Sequence, residues 1–229
     1  MKNMLLAFQE VAIGYDQRNP LIAKINLSIP LSASIVLTGD VGSGKTTLLN
    51  SILGKTNILA GKLPKNEQVF GQGNRAVAFL PQRTPRIVPP LFRVVDLLTN
   101  TMGIHLFLPH QEYSERRYKV QQVSDNLGIQ HLLQRRVMTL SGGEYQLVLI
   151  AQILMNEVRL LILDEPFNNL DRASKLQLVK TLKKVLVQYD VSLICVLHGD
   201  IECACDIFTH ELRLTNTRPR QLILHLCPK

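Results

Sequence analysis

Hydrophobic and polar positions along the chain follow two alternating patterns. Short β-branched or apolar runs are separated by longer stretches with helical spacing. This alternation is typical of an α/β protein with a mainly parallel sheet. The runs that predict buried strands are residues 34–38, 77–80, 160–163 and 192–197. Helices are predicted from residue 45 to about 53 and from about 173 to 188, and the first thirty residues predict short strands and turns.

The pattern changes between residues 81 and 140. Prolines at positions 81, 85, 89 and 90 are followed by mostly helical text without a convincing strand. We therefore expect a helical insert, residues 84–138, within an α/β core. A chain of 229 residues is long enough to bury a sizeable core, so residues 1–229 are predicted to form one domain around that insert.

Composition and charge narrow the functional classes. The hydrophobic fraction of 46% is that of a globular protein. The apolar stretches are too short to span a membrane and the first residues do not resemble a signal peptide, so we expect a cytoplasmic protein. The net charge of +8 is spread along a chain that has no tryptophan and no polybasic tract. We expect no nucleic-acid partner, and a basic surface also suits ATP or an anionic membrane face.

The four cysteines form no recognisable disulfide framework for a chain of this length, which favours a reducing compartment. Two of them, Cys203 and Cys205, lie near other possible metal ligands. A C-x-C pair lacks the spacing of a structural zinc site, so we disfavour a metal site there. The neighbouring candidate ligands are His198, Glu202 and His210.

Residues 39–46 fit the phosphate-binding pattern G-x-x-x-x-G-K-[ST], between a predicted strand and a predicted helix. Glycines let backbone N–H groups turn towards phosphate oxygens, and the helix start adds its positive end. We expect Lys45 to reach the β- and γ-phosphates and the Thr46 hydroxyl to bind Mg²⁺. The alternative, a chance glycine-rich turn, does not explain the strand–helix setting. The candidate nucleotide-binding residues here are Gly39, Asp40, Val41, Gly42, Ser43, Gly44, Lys45, Thr46 and Thr47.

An acidic pair, Asp164 and Glu165, follows the apolar run 160–163. The end of a strand is where an open α/β sheet places its ligand. We expect Asp164 to hold Mg²⁺ through water and Glu165 to polarise the water that attacks the γ-phosphate. Such a pair could also be a surface cap, and the phosphate loop upstream favours the catalytic interpretation.

Residues 140–144, Leu-Ser-Gly-Gly-Glu, stand shortly before the acidic strand. They offer a serine hydroxyl and glycine amides at a predicted helix start, which is either a second anion-binding corner or an ordinary helix cap. In order and spacing they resemble the signature motif of the ATP-binding-cassette (ABC) family. In that family the corner contacts the γ-phosphate of ATP held by a partner cassette. The resemblance therefore assigns contact with the partner's ATP to Ser141, Gly142, Gly143 and Glu144.

The resemblance covers nearly the whole chain and implies further site residues. Tyr15 matches the aromatic residue that stacks on adenine, although a lone tyrosine there could be a surface turn residue. Gln82 matches the glutamine that contacts the metal and the attacking water. Asp171 lies in a segment like the loop that crosses to the partner subunit. His198 matches the histidine that contacts the γ-phosphate, and core packing is its alternative.

The family resemblance also implies the architecture and the cofactors. It predicts a phosphate-loop NTPase (RecA-like) core with an N-terminal antiparallel β subdomain and an inserted α-helical subdomain, binding ATP and Mg²⁺. Some positions depart from the family pattern without removing a phosphate, metal or water contact. These are Glu144 for a commoner glutamine, Leu147 and Gln152 for frequent arginines, and Gly199 for a usual aspartate.

A cassette without a membrane span implies separate partners. The resemblance predicts an ATPase subunit peripheral on the inner face of the membrane, paired with a second cassette, with a homodimer favoured, and with integral-membrane permease subunits. An extracytoplasmic binding protein would complete an importer. Segments 79–83, 164–171 and 196–198 are similar to the zinc- and manganese-importer branch. The alternatives are a lipid or cell-envelope export or mechanical complex and a non-transport cassette ATPase.

Overall fold

The computed structural model describes residues 3–74, 76–101, 110–197, 205–215 and 220–227. Within them the strands form two sheets, one of order β2-β1-β4 and one of order β5-β6-β7-β3-β8-β9. The strands are β1 (Met4–Ile13), β2 (Ile22–Pro30), β3 (Ser34–Thr38), β4 (Ile58–Lys62), β5 (Val77–Leu80), β6 (Leu160–Asp164), β7 (Ser192–Val196), β8 (His210–Leu214) and β9 (Leu222–Leu226).

The helices flank the second sheet or connect its strands. They are α1 (Lys45–Ile52), α2 (Glu67–Asn74), α3 (Val94–Asn100), α4 (His110–Leu127), α5 (Gly142–Leu154) and α6 (Arg172–Tyr189). Short 3₁₀ helices lie at Gln130–Leu132, Val137–Thr139 and Cys205–Ile207. Among the described residues, every helix falls short of the length and apolar character that a membrane span requires.

The first sheet is antiparallel and its strands are longer than the sequence predicted. Two adjacent exposed residues, Gln9 and Glu10, interrupt the hydrophobic pattern of β1. The strand continues through them because Glu10 adopts a φ of 52° at an irregularity in the pairing with β2. The backbone N–H of Glu10 donates to Asn26 Oδ1 at 2.8 Å, which replaces the missing ladder bond. A local irregularity thus allows one ten-residue strand in a region where the sequence predicted short strands and turns.

The second sheet confirms the predicted parallel core. Strands β5, β6, β7, β3 and β8 are parallel, with Leu80 opposite Leu163 and Leu37 opposite Val196. Asp164 also lies opposite Val196, so β3, β6 and β7 end at the same level. Strand β9 pairs antiparallel with β8 at one edge. The carboxyl ends that carry the phosphate loop and the acidic pair therefore share one edge of the sheet.

Side chains of the parallel strands alternate between two buried clusters, one on each face of the sheet. In β6, Leu160 and Ile162 belong to one cluster, and Leu161 and Leu163 belong to the other. The first cluster joins the sheet to α1 and to the antiparallel sheet. The second joins it to α3, α4, α5 and α6. Helices from the predicted insert therefore share one continuous apolar core with the sheet, and the insert boundaries at 84 and 138 stay a prediction.

Candidate functional site

The loop between β3 and α1 turns tightly because its glycines adopt conformations that other residues disfavour. Gly39 has a φ of 145° and Gly44 a φ of 100°. A Cβ at Gly39 would lie 2.8 Å from Ser43 Oγ, and one at Gly44 would lie 2.7 Å from Leu21 Cδ2. The tip of the loop, residues 40–42, is exposed, with Val41 85% exposed. Both ends of the loop are thus fixed by close packing while its tip faces solvent.

The ammonium group of Lys45 is held inside this loop. Its Nζ donates to the backbone oxygens of Gly39 at 2.7 Å and Asp40 at 2.9 Å. Burial lowers the pKa of Lys45, and the carboxylates of Glu165, Asp164 and Asp40 act in the opposite direction. The two acidic residues at the end of β6 therefore lie close enough to Lys45 to stabilise its charge. This places a cation and two carboxylates at the shared strand edge.

The acidic pair is shaped by an unusual backbone conformation. Asp164 ends β6, and Glu165 follows with a φ of 51° while its N–H donates to Val196 O at 3.1 Å. A positive φ at a non-glycine residue is uncommon, and it recurs at functional sites. Burial raises the pKa of Asp164 and Glu165 raises it further, whereas Lys45 lowers it. The site therefore concentrates negative charge that a divalent cation would neutralise.

Two amide side chains orient the Glu165 carboxylate. Gln82, which follows β5, and Asn168 both donate through their side-chain nitrogens to Glu165 Oε2. The structure thus brings together Gln82 and Glu165, which the sequence singled out separately. Asn168 was not assigned a role from the sequence. Its signal was local, because Asn168 N donates to Glu165 O at 3.2 Å in a turn that brings position i+3 back to position i.

The predicted adenine-stacking residue lies beside the start of α1. Tyr15 is 80% exposed, and its hydroxyl lies 3.4 Å from the Oγ1 of buried Thr47. Thr46, the predicted metal ligand, is exposed. A cavity of about 600 Å³ is lined by Tyr15, Asp16, Arg18, Asn19, Pro20, Leu21 and Arg220. Arg220 reaches this cavity because its backbone bridges to Ile22, a contact between distant parts of the chain that the sequence did not reveal.

The Ser-Gly-Gly-Glu segment starts α5 with a reciprocal cap. Ser141 Oγ accepts the Glu144 N–H at 3.2 Å, and Glu144 Oε2 accepts the Ser141 N–H at 2.7 Å. The other oxygen of Glu144 accepts from Arg135 Nη1. These bonds, with that of the Ser141 N–H foremost, lower the pKa of Glu144. The acidic residue at a position where glutamine is commoner is therefore compensated by its own cap and by Arg135.

Asp171 caps the next helix. Its Oδ1 accepts the Ser174 N–H at 2.9 Å and its Oδ2 accepts the Ser174 hydroxyl at 2.7 Å, and these two bonds lower the pKa of Asp171. Leu147 is buried in the apolar core, so a leucine suits that position in this chain. Gln152 is half-buried. His198 and Gly199 lie outside the described residues.

The family model described as "ABC transporter" matches residues 22–168. The chain belongs to the ABC transporter family. Among curated relatives, the cassette is 33% identical over 191 residues to the molybdate/tungstate import ATP-binding protein WtpC of Pyrococcus horikoshii, covering 82% of this chain and 54% of the relative. It is 30% identical over 218 residues to the zinc import ATP-binding protein ZnuC of Psychrobacter arcticus, covering 93% of this chain and 78% of the relative.

Solved structures support the fold of the cassette. The cbiO1 protein of Clostridium perfringens, described as part of the ABC transporter complex cbiONQ, superimposes with a TM-score of 0.82 at 22% identity. The match covers 99% of this chain and 90% of that one. This likeness confirms the predicted α/β architecture. The cassette spans about half the length of the WtpC relative, 54%.

Proposed function

We propose that the cassette binds and hydrolyses Mg-ATP as the ATPase subunit of an ABC transporter. The observation that carries the proposal is the Glu165 carboxylate, which is oriented by Gln82 and Asn168 and close enough to Lys45 for their charges to interact. A general base needs a fixed orientation within hydrogen-bond reach of the proton that it takes. Both amides bind Oε2, and we assign the attacking water to Oε1.

The phosphates and the metal would be held by the residues around that base. The donors that would hold Mg²⁺ are the Thr46 hydroxyl, the Asp164 carboxylate and the Gln82 amide oxygen, all of the hard oxygen type that Mg²⁺ prefers. The Gln82 amide nitrogen already donates to Glu165, which directs its amide to the acidic pair. Bound Mg²⁺ supplies charge neutralisation on the phosphate oxygens. Lys45 would bind the same phosphates from its loop, and His198 would contact the γ-phosphate.

A second cassette would complete the ATP site by sandwiching the nucleotide between the two subunits. Tyr15 is exposed beside a cavity with two arginines and would stack on the base. Ser141 and the two glycines after it start a thirteen-residue helix, and their amides would receive the partner's γ-phosphate. Asp171, fixed as a helix cap, would lie in the loop that crosses to the partner. The favoured assembly is a homodimer.

An exposed apolar surface supports docking on a permease. Ile87 is 85% exposed, Leu91 70% and Met138 50%, and prolines 89 and 90 stiffen the segment between the first two. The Val137 N–H donates to Phe92 O at 2.9 Å, which brings Met138 close to this segment, and exposed apolar side chains that lie close together favour a protein partner. We assign this surface to a cytoplasmic segment of the permease, which would hold the cassette at the inner membrane face. An extracytoplasmic binding protein would deliver the cargo.

The proposed cargo is a metal ion, imported as zinc or manganese. The match to the zinc-importer relative covers 78% of that protein's length, whereas the match to the molybdate/tungstate relative covers 54% of that one. The test is elemental analysis of cells grown under metal limitation, comparing a gene deletion with its wild-type and Glu165→Gln complements. A selective fall in zinc or manganese, restored only by the wild type, supports this cargo. A fall in molybdenum or tungsten points to oxyanions, and unchanged metals favour the envelope alternative.

The ATPase proposal itself is tested by two matched variants. Glu165→Gln should bind ATP but lose turnover by about 10²- to 10⁴-fold, the usual contribution of a positioned base. Glu157→Gln changes an exposed glutamate that precedes the first residue of β6, at the end of the strand away from Glu165, and should retain turnover. Steady-state phosphate release and equilibrium ATP binding are measured for both. Equal turnover in the two variants would remove Glu165 from the role of base.

A further inference from the structure

A single arginine joins the segment after Gln82 to the start of the signature helix. Arg86 Nη1 donates to Leu140 O at 2.7 Å, and Nη2 donates to Ser141 O at 3.1 Å. The same Nη1 lies 3.5 Å from Met138 O. Arginine suits this task because its planar fork presents several donors in fixed directions. The two nitrogens thus hold consecutive carbonyls of the chain that enters α5.

Tyr145 fixes the other side of the guanidinium. The Arg86 Cζ lies 4.6 Å from the centre of the Tyr145 ring, within the range of a cation–π contact. The Tyr145 hydroxyl donates to Pro85 O at 3.4 Å, and Tyr145 as a whole is 8% exposed. We refer to Arg86, Leu140, Ser141 and Tyr145 as the Arg86 clamp. Its parts are held from both chain segments, so the position of one segment constrains the other.

Helix α5 does not supply hydrogen-bond donors for both of the carbonyls that Arg86 binds. Leu140 has extended backbone angles, φ −72° and ψ 144°, and precedes the cap residue Ser141. Ser141 O already accepts the Tyr145 N–H at 3.0 Å as the first bond of the helix. Arg86 adds a second donor to Ser141 and supplies a charged donor to Leu140. Arg86 therefore binds the backbone that immediately precedes the signature amides.

The chain segment that carries Arg86 also contacts the proposed base, Glu165. Gln82, four positions before Arg86, donates to the Glu165 carboxylate. The short segment from 82 to 86 thus touches the proposed base at one end and the signature at the other. We propose that Arg86 is a positioning residue that orients the signature corner to receive the partner cassette's ATP. The inference rests on the proposed function, and Arg86 acts through Ser141 without touching its own nucleotide.

The first experiment measures ATP-induced dimerisation in the Glu165→Gln background, where ATP should be bound but not consumed. Adding Arg86→Gln should weaken the dimer by about tenfold or more, because two charged hydrogen bonds are lost. Arg86→Lys keeps the charge over Tyr145 but loses the fork. Its dimer affinity should therefore lie between that of the Glu165→Gln parent and that of the Arg86→Gln variant. Arg83→Gln, which removes an exposed arginine from the same segment, is the matched control and should leave dimerisation unchanged.

Affinity of the monomer for ATP separates positioning from misfolding. The Arg86 variants should bind ATP as tightly as the parent, since the phosphate loop is intact, and a variant that fails to fold would lose this affinity. If Arg86→Gln loses it, Arg86→Lys carries the test. A normal ATP-induced dimer in any correctly folded clamp variant that lacks the fork would overturn the inference. Failure of the Glu165→Gln parent to dimerise would instead contradict the proposed sandwich, and the inference with it.

Mixed dimers test whether Arg86 acts on the partner's nucleotide. One chain of each dimer carries Lys45→Ala, which removes the nucleotide site on its phosphate loop. Arg86→Gln is placed either in that same chain or in the opposite chain. The two chains carry distinct affinity tags. Because each site combines one chain's phosphate loop with the other chain's signature, the same-chain combination should damage both sites and fail to retain ATP. The opposite-chain combination should retain ATP at the level of the dimer with Lys45→Ala alone. The reverse pattern would show that Arg86 acts on its own chain's nucleotide.

Discussion

The packing of the signature helix against the start of α6 predicts opposite effects of alanine at two adjacent glycines. A Cβ at Gly143 would lie 2.5 Å from Ser174 Oγ and 2.6 Å from Ser174 Cβ. A Cβ at Gly142 would meet Leu170 Cδ2 at 3.7 Å, an ordinary van der Waals contact. The side-chain oxygen of Ser174 could rotate, but its Cβ is fixed by the helix backbone, so the two helices must move apart in Gly143→Ala.

The magnitude follows from two opposing terms. Overpacking costs about 1–3 kcal/mol. Alanine in place of glycine within a helix recovers about 0.5–1 kcal/mol. Gly143→Ala should therefore lower the free energy of unfolding by up to about 2.5 kcal/mol, or lower Tm by up to about 10 °C for a chain of this size, and it should be less stable than Gly142→Ala by the full overpacking cost of about 1–3 kcal/mol. Gly142→Ala has only the favourable term and should not lower either quantity.

The assay is urea denaturation of both variants, with Ser174→Gly added to each. Ser174→Gly has its own cost, since it removes the hydroxyl that donates to Asp171. In combination with Gly143→Ala it also removes the clash, so the two changes should couple favourably by about 1–3 kcal/mol. The urea midpoints should differ while the slope m stays constant. Equal stabilities for the two alanine variants, or strict additivity with Ser174→Gly, would refute the packing argument.

Two further predictions concern charges in the site. The pKa of Asp164 is raised, so its contribution to stability is present below its ordinary value of 3.8 and is lost as the pH rises through the raised pKa. Asp164→Asn should therefore raise the Tm of the nucleotide-free protein at pH 7, while Mg-ATP should no longer stabilise it; a Tm below that of the wild type would contradict this. The pKa of Glu144 is lowered, so its contribution is present above its ordinary value of 4.5 and is lost as the pH falls below that value. Glu144→Gln should flatten this acid limb of thermal stability, and an unchanged pH profile would refute the assignment.

The sequence predicted the parallel core and the phosphate loop because the local signals there were strong and consistent. A glycine-rich turn between a buried strand and a helix has few alternative structures, and the observed α1 begins at Lys45 as expected. Gln82 and Glu165 follow different strands, and parallel strands bring both to one edge. Strands β4, β8 and β9 were missed. In β4 and β9 the side chains are half-buried or exposed, which weakens the hydrophobic pattern on which the prediction depends.

The contacts that orient the site were harder to predict because they join distant positions. Arg86 and Leu140 are separated by 54 residues, and no local pattern marks Arg86 among the arginines of the chain. The approach of Arg220 to the cavity beside Tyr15 likewise depends on a bridge to Ile22. Positions in a motif are thus predictable from local sequence. The side chains that hold the motif in place depend on how the whole sheet is assembled.

The central place of β3 has a consequence for synthesis of the chain. This buried strand, which leads into the phosphate loop, lies between β7 and β8, and Ser32 beside it bonds to Ser192, 160 residues later. At about 5–20 residues per second, a ribosome needs roughly 8–30 s to supply β7 after β3 has emerged. During that time β3, whose residues are all buried in the folded protein, has neither of its neighbouring strands, β7 and β8. The phosphate loop would thus be translated well before β7 and β8, the two strands that hold β3 in the sheet, and ATP could stabilise the loop only after both have been made.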